Sequence, residues 1–376
     1  MINGIDLTVM IGTAVPIPAP RELIEALTSI DVQSSNHGPT GFELKFNVGK
    51  DSLLQTLFLL KGSAGITPPL RVILVVTING RPEVISDGVM TDHTTNPGSA
   101  GQASTVSIKG TDLTTLMDLV PFDGFPYPAL PVEGRVLLML AKYAAFGMIP
   151  RIIPRAFTDV PNPLDLIPRH KGTDLNYLRQ LAHEAGYTFY VEPGPLPLMN
   201  IAHWGPEIKV GIPQPALTLN SDFETNVDNI QFTFRNDHQE MPIVMYHNRE
   251  TKLTIPVPVP DISLTNPPLG LLPSIPRRFR FLDHVAKCSV PEALLFGLAG
   301  ASTSADSVTG KGSLDVLRYG SILRTRRLVG VRGAGMAFDG LYYVTDVSHS
   351  MKRGEYKQSF TLSRNGLIST VPRVPV

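Results

Sequence analysis

Cysteine is almost absent from this sequence: Cys288 is the single one among 376 residues. One thiol cannot form an intrachain disulfide, so a disulfide-stapled scaffold is excluded, and the composition fits folding in a reducing cytoplasm. Cys288 stands between Lys287 and Ser289, just before a predicted helix start. We interpret it as an inert, partly buried thiol and not as a nucleophile.

An excess of either charge is also missing. Lys and Arg total 33, Asp and Glu total 33, and the formal net charge is zero. Such a chain has no general electrostatic attraction to nucleic acids or acidic membranes, and its low self-repulsion suits a permanent assembly. Its best basic and aromatic cluster, Arg277 to Phe281, is too small for a nucleic-acid surface and predicts a polar interface or strand edge.

Long hydrophobic runs are absent as well. The most apolar helix-like run, Val136 to Phe146, is too short to span a bilayer and contains Lys142. The N-terminus has no basic segment of the kind that opens a signal peptide. We therefore expect no signal peptide, no transmembrane segment and no direct membrane insertion, with assembly in the cytoplasm.

No catalytic constellation is visible. The chain has no Gly-x-Ser-x-Gly elbow, and Asp222 and Glu224 are interpreted as ordinary solvated carboxylates. None of the nine histidines shows metal-ligand spacing, and we expect them to be exposed or capped. They are His37, His93, His170, His183, His203, His238, His247, His284 and His349. We predict no catalytic, cofactor-binding or metal-binding residues and no cofactor.

Glycines near the C-terminus do not form a phosphate loop. Gly330, Gly333 and Gly335 precede a β-hairpin pattern, whereas a phosphate-binding loop must open onto a helix N-terminus. We interpret them as sites of tight strand bends.

The first block, to about Asp123, is rich in strand signals. Alternating apolar residues run over 42–48 and 72–78, and the second run ends at Asn79-Gly80, a strong hairpin turn. Several short strands with turns between them predict a barrel or sandwich.

The middle block predicts helices and strands together. One apolar helix runs from Arg135 to Phe146 and ends at Gly147. A second begins at the N-cap Thr173 and ends at Gly186, where a period-two strand follows at once.

An internal echo links two parts of the chain. The ten residues from Gly110 match the ten from Gly172 at six positions. Shared helix-start chemistry or an ancestral duplication would both explain the match.

The last quarter predicts a half-buried antiparallel hairpin, because apolar residues alternate on both sides of a glycine-containing turn. The faces we expect to be buried carry Leu341, Tyr343, Val347 and Met351 on one strand and Tyr356, Phe360 and Leu362 on the next. Asp346 and His349 are expected on opposite faces because their spacing is odd.

A proline-dense stretch, about 251–279, interrupts the second β-rich block. Proline cannot donate to a strand ladder, so one interpretation is a stiff surface loop or linker. The other is an arm that lies across a neighbouring subunit, since Leu253, Ile255, Val257 and Val259 would otherwise face water.

Four stretches together resemble the tail hub proteins of contractile phages and phage-like injection systems. They cover 11–27 with the following strand at Phe42, 173–191, 289–301 and 320–366. The family includes phage baseplate hubs, late control protein D and the N-terminal half of VgrG-type spikes. The proline-rich opening is most similar to hubs of extracellular phage-tail-like particles.

The resemblance implies a mainly β fold with an α/β middle region and two similar antiparallel β-barrels per subunit. The implied regions are a tube-docking barrel over 1–125, an α/β domain over 126–220, and a second barrel over 221–376 that the proline-rich insertion 251–279 interrupts. Compared with VgrG-type proteins, 376 residues leave no room for the further barrel and β-helix, which implies a separate spike protein.

The implied function is that of a structural baseplate hub. Hubs of this kind are homotrimers whose six barrels form a pseudo-hexameric adaptor between a hexameric inner tube and a trimeric spike. Implied partners are the inner tube protein, the separate spike, a tape-measure or cargo protein and the baseplate wedge, within a phage tail or extracellular injection particle. Two alternatives are a tail-associated peptidoglycan- or carbohydrate-cleaving enzyme and a monomeric ligand-binding β-barrel.

Overall fold

The computed structural model of this protein describes residues 5–13, 15–48, 69–97, 104–155, 160–164, 167–219, 225–235, 240–247, 254–259, 266–273, 278–281, 297 and 306–371. Several sequence predictions lie outside these residues. They concern Cys288, most of the predicted helix 289–301, Asp222, Glu224, His238 and His284.

Strands dominate the described residues, as the sequence predicted. The first ten are β1 (Ile5–Gly12), β2 (Ile17–Pro18), β3 (Leu27–Ser35), β4 (Gly41–Val48), β5 (Arg71–Ile78), β6 (Arg81–Asn96), β7 (Ser104–Asp112), β8 (Met148–Ile152), β9 (Thr188–Pro193) and β10 (Asn200–Gly205). The others are β11 (Gln214–Thr218), β12 (Asn229–Phe234), β13 (Glu240–His247), β14 (Thr254–Pro258), β15 (Gly270–Pro273), β16 (Arg278–Phe281), β17 (Val308–Asp315), β18 (Leu328–Arg332), β19 (Gly340–Lys352), β20 (Glu355–Arg364) and β21 (Gly366–Ser369).

In the part of the chain that the structure describes, helices are few and short. They are α1 (Arg21–Ala26), α2 (Val132–Ala141), α3 (Asp174–Glu184) and α4 (Val316–Tyr319), with 3-10 turns at Leu113–Asp118 and Ala144–Phe146. Within the described ranges, no helix is long and apolar enough to cross a bilayer.

One thirteen-stranded sheet forms the body of the fold. Its order is β12-β17-β20-β19-β3-β4-β7-β6-β5-β1-β2, and β18 joins β19 while β11 joins β18. At its centre β3 pairs antiparallel with β19. The N-terminal strands (β1–β7) and the C-terminal strands (β11, β12 and β17–β20) therefore belong to one continuous sheet, and residues of both regions form one apolar core cluster.

The N-terminal strand predictions are confirmed. On β4, Phe42, Leu44 and Phe46 are all buried, as period-two alternation requires. The hairpin turn between β5 and β6 is Asn79-Gly80, with φ of 51° and 78°. Both values are positive, as a two-residue type I′ turn needs.

Strand β5 is buried on both faces, which its alternation did not predict. One face, including Val72 and Leu74, joins the main core, whereas Ile73 and Val75 pack with Val84 on the other side. Partly buried Leu198 covers this second cluster. The middle region therefore lies over the outer face of β5.

The middle region combines the three-stranded sheet β8-β10-β9 with α2 and α3. The side chain of Thr173 accepts the N–H of Asn176, which confirms the predicted N-cap of α3. Gly186 follows with φ 67°, and β9 begins two residues later, at Thr188. The predicted helix 135–146 is instead divided into α2 and a 3-10 turn, and Gly147 ends it with φ 78°.

The predicted face of β19 was wrong in its first half. The pairing of β19 with β20 shifts register between Val344 and Asp346, which marks a bulge. An extra residue resets the alternation, so Tyr342 and Val344 share the core with Val347. Leu341 and Tyr343 pack into a separate cluster. Farther along, the core positions of Met351 and of the β20 residues are confirmed.

The proline-dense stretch contains strands in its described parts. β14 pairs with β13, and β15 pairs with β21 near the end of the chain. β13 also pairs in parallel with β16, which contains Arg278 to Phe281, so the predicted strand edge at this cluster is present. A continuous loop over the whole stretch is therefore excluded, and the arm interpretation stays a prediction.

The internal echo does not correspond to one repeated element. In the first copy Asp112 caps a 3-10 turn through the N–H of Thr114. In the second copy the cap of an α-helix is Thr173, which corresponds by position to Thr111. The two segments nevertheless touch, since the Thr173 hydroxyl donates to the Asp118 carboxylate over 2.5 Å.

The junction of the regions and its exposed surfaces

The seam between β3 and β19 is the central contact of the fold. Seven residue pairs align along it, from Asp346 opposite Ser35 to Lys352 opposite Ser29. On its outer face the Ser35 hydroxyl donates to Asp346 over 2.5 Å, and the Ser350 hydroxyl donates to Asp31 over 2.9 Å. Side-chain bonds thus reinforce the backbone ladder between segments that are over 300 residues apart.

Two glutamines hold the loop between α4 and β18. Gln358 donates to the carbonyl of Leu323 (2.8 Å) and accepts its N–H (3.0 Å). Gln214 does the same for Arg324, at 3.0 and 2.8 Å. Each side-chain amide takes the place of a neighbouring strand for one residue, so the backbone groups of Leu323 and Arg324 are hydrogen-bonded without a paired strand. The Arg324 guanidinium then reaches Glu83 on β6, at 2.7 Å.

Arg326 lies where the N-terminal, middle and C-terminal regions meet. Its backbone has φ 60°, its guanidinium donates to the carbonyl of Ser35, and it lies 4.0 Å from the centre of the Tyr190 ring. A non-glycine residue at this φ carries strain that the surrounding contacts must offset. Arg326 therefore joins β3 and β9 to the C-terminal loop.

A cleft of about 530 Å³ opens beside Arg326. Its walls come from the β3–β4 turn, including His37, from Arg179 and His183 of α3, and from the start of β9. The cleft therefore lies at the same junction of the three regions.

A buried ion pair connects the large sheet to the middle region. Arg71 and Asp87 are 3% and 4% exposed, and they form a bidentate pair at 2.7 and 2.6 Å. The side-chain amide of Asn200, on β10, donates to Asp87 over 2.8 Å. A bidentate pair with an added hydrogen bond satisfies charges that burial would otherwise penalise.

Asp174 is the centre of a second buried network. Its side chain is fully buried at the start of α3 and accepts bonds from Lys142 (2.7 Å) and Tyr143 (2.7 Å). His170 lies 3.6 Å away and bonds Tyr127 through Nδ1, at 2.8 Å. Burial lowers the pKa of His170 and raises that of Tyr127 to about 12. These neutral rings and the paired carboxylate fix the 119–127 and 168–173 segments onto α3.

The expectation of exposed or capped histidines was wrong for His170, His203 and His349, which are all buried. Burial lowers the pKa of His203 to about 4 and that of His349 to about 3, so both rings are neutral near pH 7. His203 accepts from Arg151 at Nδ1 (3.1 Å), and His349 bonds the hydroxyl of Tyr356 (2.7 Å). As predicted, His349 and Asp346 lie on opposite faces. Val347 points into the core, His349 two residues later shares its face, and Asp346 beside it points the other way.

Two buried polar residues of β20 were missed at the sequence level, although a signal was present. Gln358 and Arg364 share the even-numbered phase of β20 with Tyr356, Phe360 and Leu362, and both are 0% exposed. Arg364 donates to the carbonyls of Gly366, Asp339 and Ala337. A polar residue in an apolar phase indicates a buried hydrogen-bond hub when its partners are backbone groups.

The described residues contain no cluster of three or more His, Cys, Asp or Glu that could hold a metal ion. The described residues instead form buried polar networks and exposed apolar surfaces. Large apolar side chains are exposed at several places, including Phe122 and Phe125 in the segment before α2 and Phe279 and Phe281 of β16. Exposed apolar side chains in groups are typical of contact surfaces.

The sequence itself matches no family model and no curated protein. Solved structures do share the fold. A tail protein from Neisseria meningitidis MC58 superposes with a TM-score of 0.62 at 12% identity, covering 97% of this chain and 98% of that one. The 43 kDa tail protein of prophage MuSo2 from Shewanella oneidensis gives 0.59 at 15% identity, covering 96% and 98%.

Secretion-system proteins share the fold too. A type VI secretion system component from E. coli, described as similar to T4 bacteriophage tail proteins, gives a TM-score of 0.54 at 12% identity, covering 93% of this chain and 78% of that one. A chain of the Francisella PdpA-VgrG complex gives 0.59 at 8% identity, and this protein spans 55% of it. The chain thus has the fold of phage tail proteins and VgrG-like proteins.

Proposed function

We propose that this protein is the structural baseplate hub of a contractile injection system or phage-like tail. The observation that carries the proposal is the likeness in fold to two tail proteins over at least 96% of this chain and 98% of theirs. Because nearly all residues of this chain superpose on those tail proteins, few of its residues remain for a separate catalytic domain.

In this proposal the subunit forms a homotrimer that adapts a hexameric inner tube to a separate trimeric spike. The N-terminal strands and the C-terminal strands would each supply one barrel, over about 1–125 and 221–376, with the α/β region 126–220 between them. The continuous sheet supports such a rigid pair, since the β3–β19 seam holds the two sets of strands together. Tape-measure or cargo protein and the baseplate wedge would complete the contacts.

A permanent trimer needs large interfaces, typically above ~2,000 Å². Light scattering of the purified chain should therefore give three times the 40.9 kDa subunit mass. Electron-microscopy averages should show six similar lobes at one rim and threefold symmetry at the other. A stable monomer at micromolar concentration, or a ring with six lobes at neither end, would refute the proposal.

The enzyme alternative has its own test. Purified peptidoglycan incubated with the protein should release no soluble fragments if the role is structural. Release that a single Asp or Glu substitution abolishes would favour a tail-associated cleaving enzyme instead.

A further inference from the structure

The three-stranded sheet β14-β13-β16, here called the arm sheet, has one packed face and one open face. On the packed side Val244 is 2% exposed and lies with Val259 beside Gly297. On the open side Phe279 and Phe281 are 66% and 57% exposed. The register places them next to two half-buried residues of β13, Met241 and Ile243. The open face is therefore a continuous apolar surface.

Prolines close one edge of the arm sheet. The N–H of Val259, which follows β14, donates to the carbonyl of Pro242 over 3.0 Å. The odd-numbered residues of β14 therefore also direct their backbone groups toward β13. Backbone groups alternate in direction along a strand, which turns those of Pro256 and Pro258 outward. Proline has no N–H to donate, and this edge cannot accept a further strand at these positions.

The other edge of the arm sheet, β16, has no such protection. Pro242 and Val244 direct their backbone toward β14, so Met241 and Ile243 direct theirs toward β16. In a parallel pair these bonds go to the residues that flank the aligned partner. Phe279 and Phe281 consequently turn their N–H and C=O groups outward, and among the described strands none pairs with them.

Charge on β16 defines the kind of strand that would fit. Arg278 and Arg280 lie on the face opposite the two phenylalanines, and both are exposed. Glu240 is the carboxylate paired with Arg280, at 3.9 Å and with the arginine side chain 70% exposed, so this pair is weak and solvent-screened. Among the residues that the structure describes here, two cations lie beside one carboxylate, so this side of β16 carries more positive than negative charge.

We propose that the open edge of β16 receives an extended strand of a partner protein in which apolar and acidic residues alternate. Directly opposed residues of neighbouring strands share a face, so the apolar side chains would cover Phe279 and Phe281 while the acidic ones meet Arg278 and Arg280. Backbone bonds supply affinity in this mode, and the side-chain alternation supplies specificity. The inference deepens the proposed function, because it names a partner class for one surface of an assembly protein.

The test uses the full chain and two fluorescein-labelled peptides. One has a Val-Glu-Val-Glu-Val centre, the other a Val-Lys-Val-Lys-Val centre, and both carry Gly-Ser flanks. Fluorescence anisotropy should show the acidic peptide binding at least ten-fold more tightly. The double variant Arg278→Glu with Arg280→Glu should reverse this preference, because the same edge then presents carboxylates.

A proline variant tests the edge itself. Phe279→Pro removes an outward N–H without touching the inward ladder, so the fold should persist while binding of the acidic peptide falls at least ten-fold. Phe279→Val is the matched control, since it keeps the N–H and an apolar side chain and should bind within about three-fold of the unaltered chain. Equal binding of both peptides, or full binding by Phe279→Pro, would overturn the inference.

Light scattering on the same samples separates this inference from the proposed function. A trimer that binds neither peptide would refute the strand-accepting edge and leave the hub role intact. A monomer that prefers the acidic peptide would do the reverse.

Discussion

Removing one partner of the Arg71–Asp87 pair should destabilise the protein far more than replacing both. Either single variant, Arg71→Met or Asp87→Leu, leaves one uncompensated charge among side chains that are under 5% exposed. Breaking a buried pair in this way typically costs about 3–5 kcal/mol of the free energy of unfolding. Asp87→Leu also deprives the Asn200 amide of its acceptor.

In the double variant Arg71→Met with Asp87→Leu, neither charge of this pair remains. The remaining cost is the orphaned Asn200 amide, about 1–3 kcal/mol. The double variant should therefore be more stable than either single one, a coupling that an additive model does not allow.

Urea denaturation at fixed protein concentration would measure these differences. Trp204 is the single tryptophan, is 0% exposed and lies on β10 with Asn200, so its fluorescence reports on this contact region. If the double variant is as unstable as the worse single variant, the ion pair is not what holds β6 to β10. Single variants within 1 kcal/mol of the unaltered chain would refute the reasoning equally.

Further predictions concern acid, the glutamine bonds and the hairpin turn. The pKa values of His203 and His349 are lowered to about 4 and 3 in the folded chain. Below pH 6.5 these histidines are therefore protonated in the unfolded chain but still neutral in the folded chain. The contribution of these histidines to the free energy of unfolding should be constant above about pH 7 and should fall by roughly 2 kcal/mol per histidine at pH 5. His349→Gln should remove the part of this fall that His349 causes, as measured by urea titrations at pH 7 and pH 5. Gln358→Leu leaves the N–H and carbonyl of Leu323 without these partners and should cost about 2–5 kcal/mol, whereas the exposed neighbour change Lys357→Gln should cost under about 0.5 kcal/mol. Gly80→Ala meets no atom within 4 Å but must adopt φ 78°, so a loss of about 1–2 kcal/mol in thermal or urea unfolding is expected, and no loss would contradict the turn assignment.

Local features of the fold were predictable from the sequence because each depends on neighbouring residues. The alternation on β4, the Asn79-Gly80 turn and the Thr173 cap are all confirmed. The bulge near Thr345 carried no glycine or proline signal, and it reversed the faces of Leu341 and Tyr343. Alternation rules cannot place an inserted residue that leaves no mark in composition.

The junction was less predictable because it depends on distant partners. The burial of Asp174 results from Lys142 and Tyr143, which reach it from the end of α2. Likewise, the strands in the proline-dense stretch were missed because proline counts against strands, although an outer edge tolerates it at outward-facing positions. Such features follow from pairing that no local pattern encodes.

The β3–β19 seam also has a consequence for biosynthesis. During translation β3 emerges more than 300 residues before the segment that completes its ladder. Until then one side of β3 is an unpaired edge able to associate with other nascent chains. Productive folding should thus wait until β19 has been synthesised and should be slow, because a contact of such long sequence separation must form before the core can close.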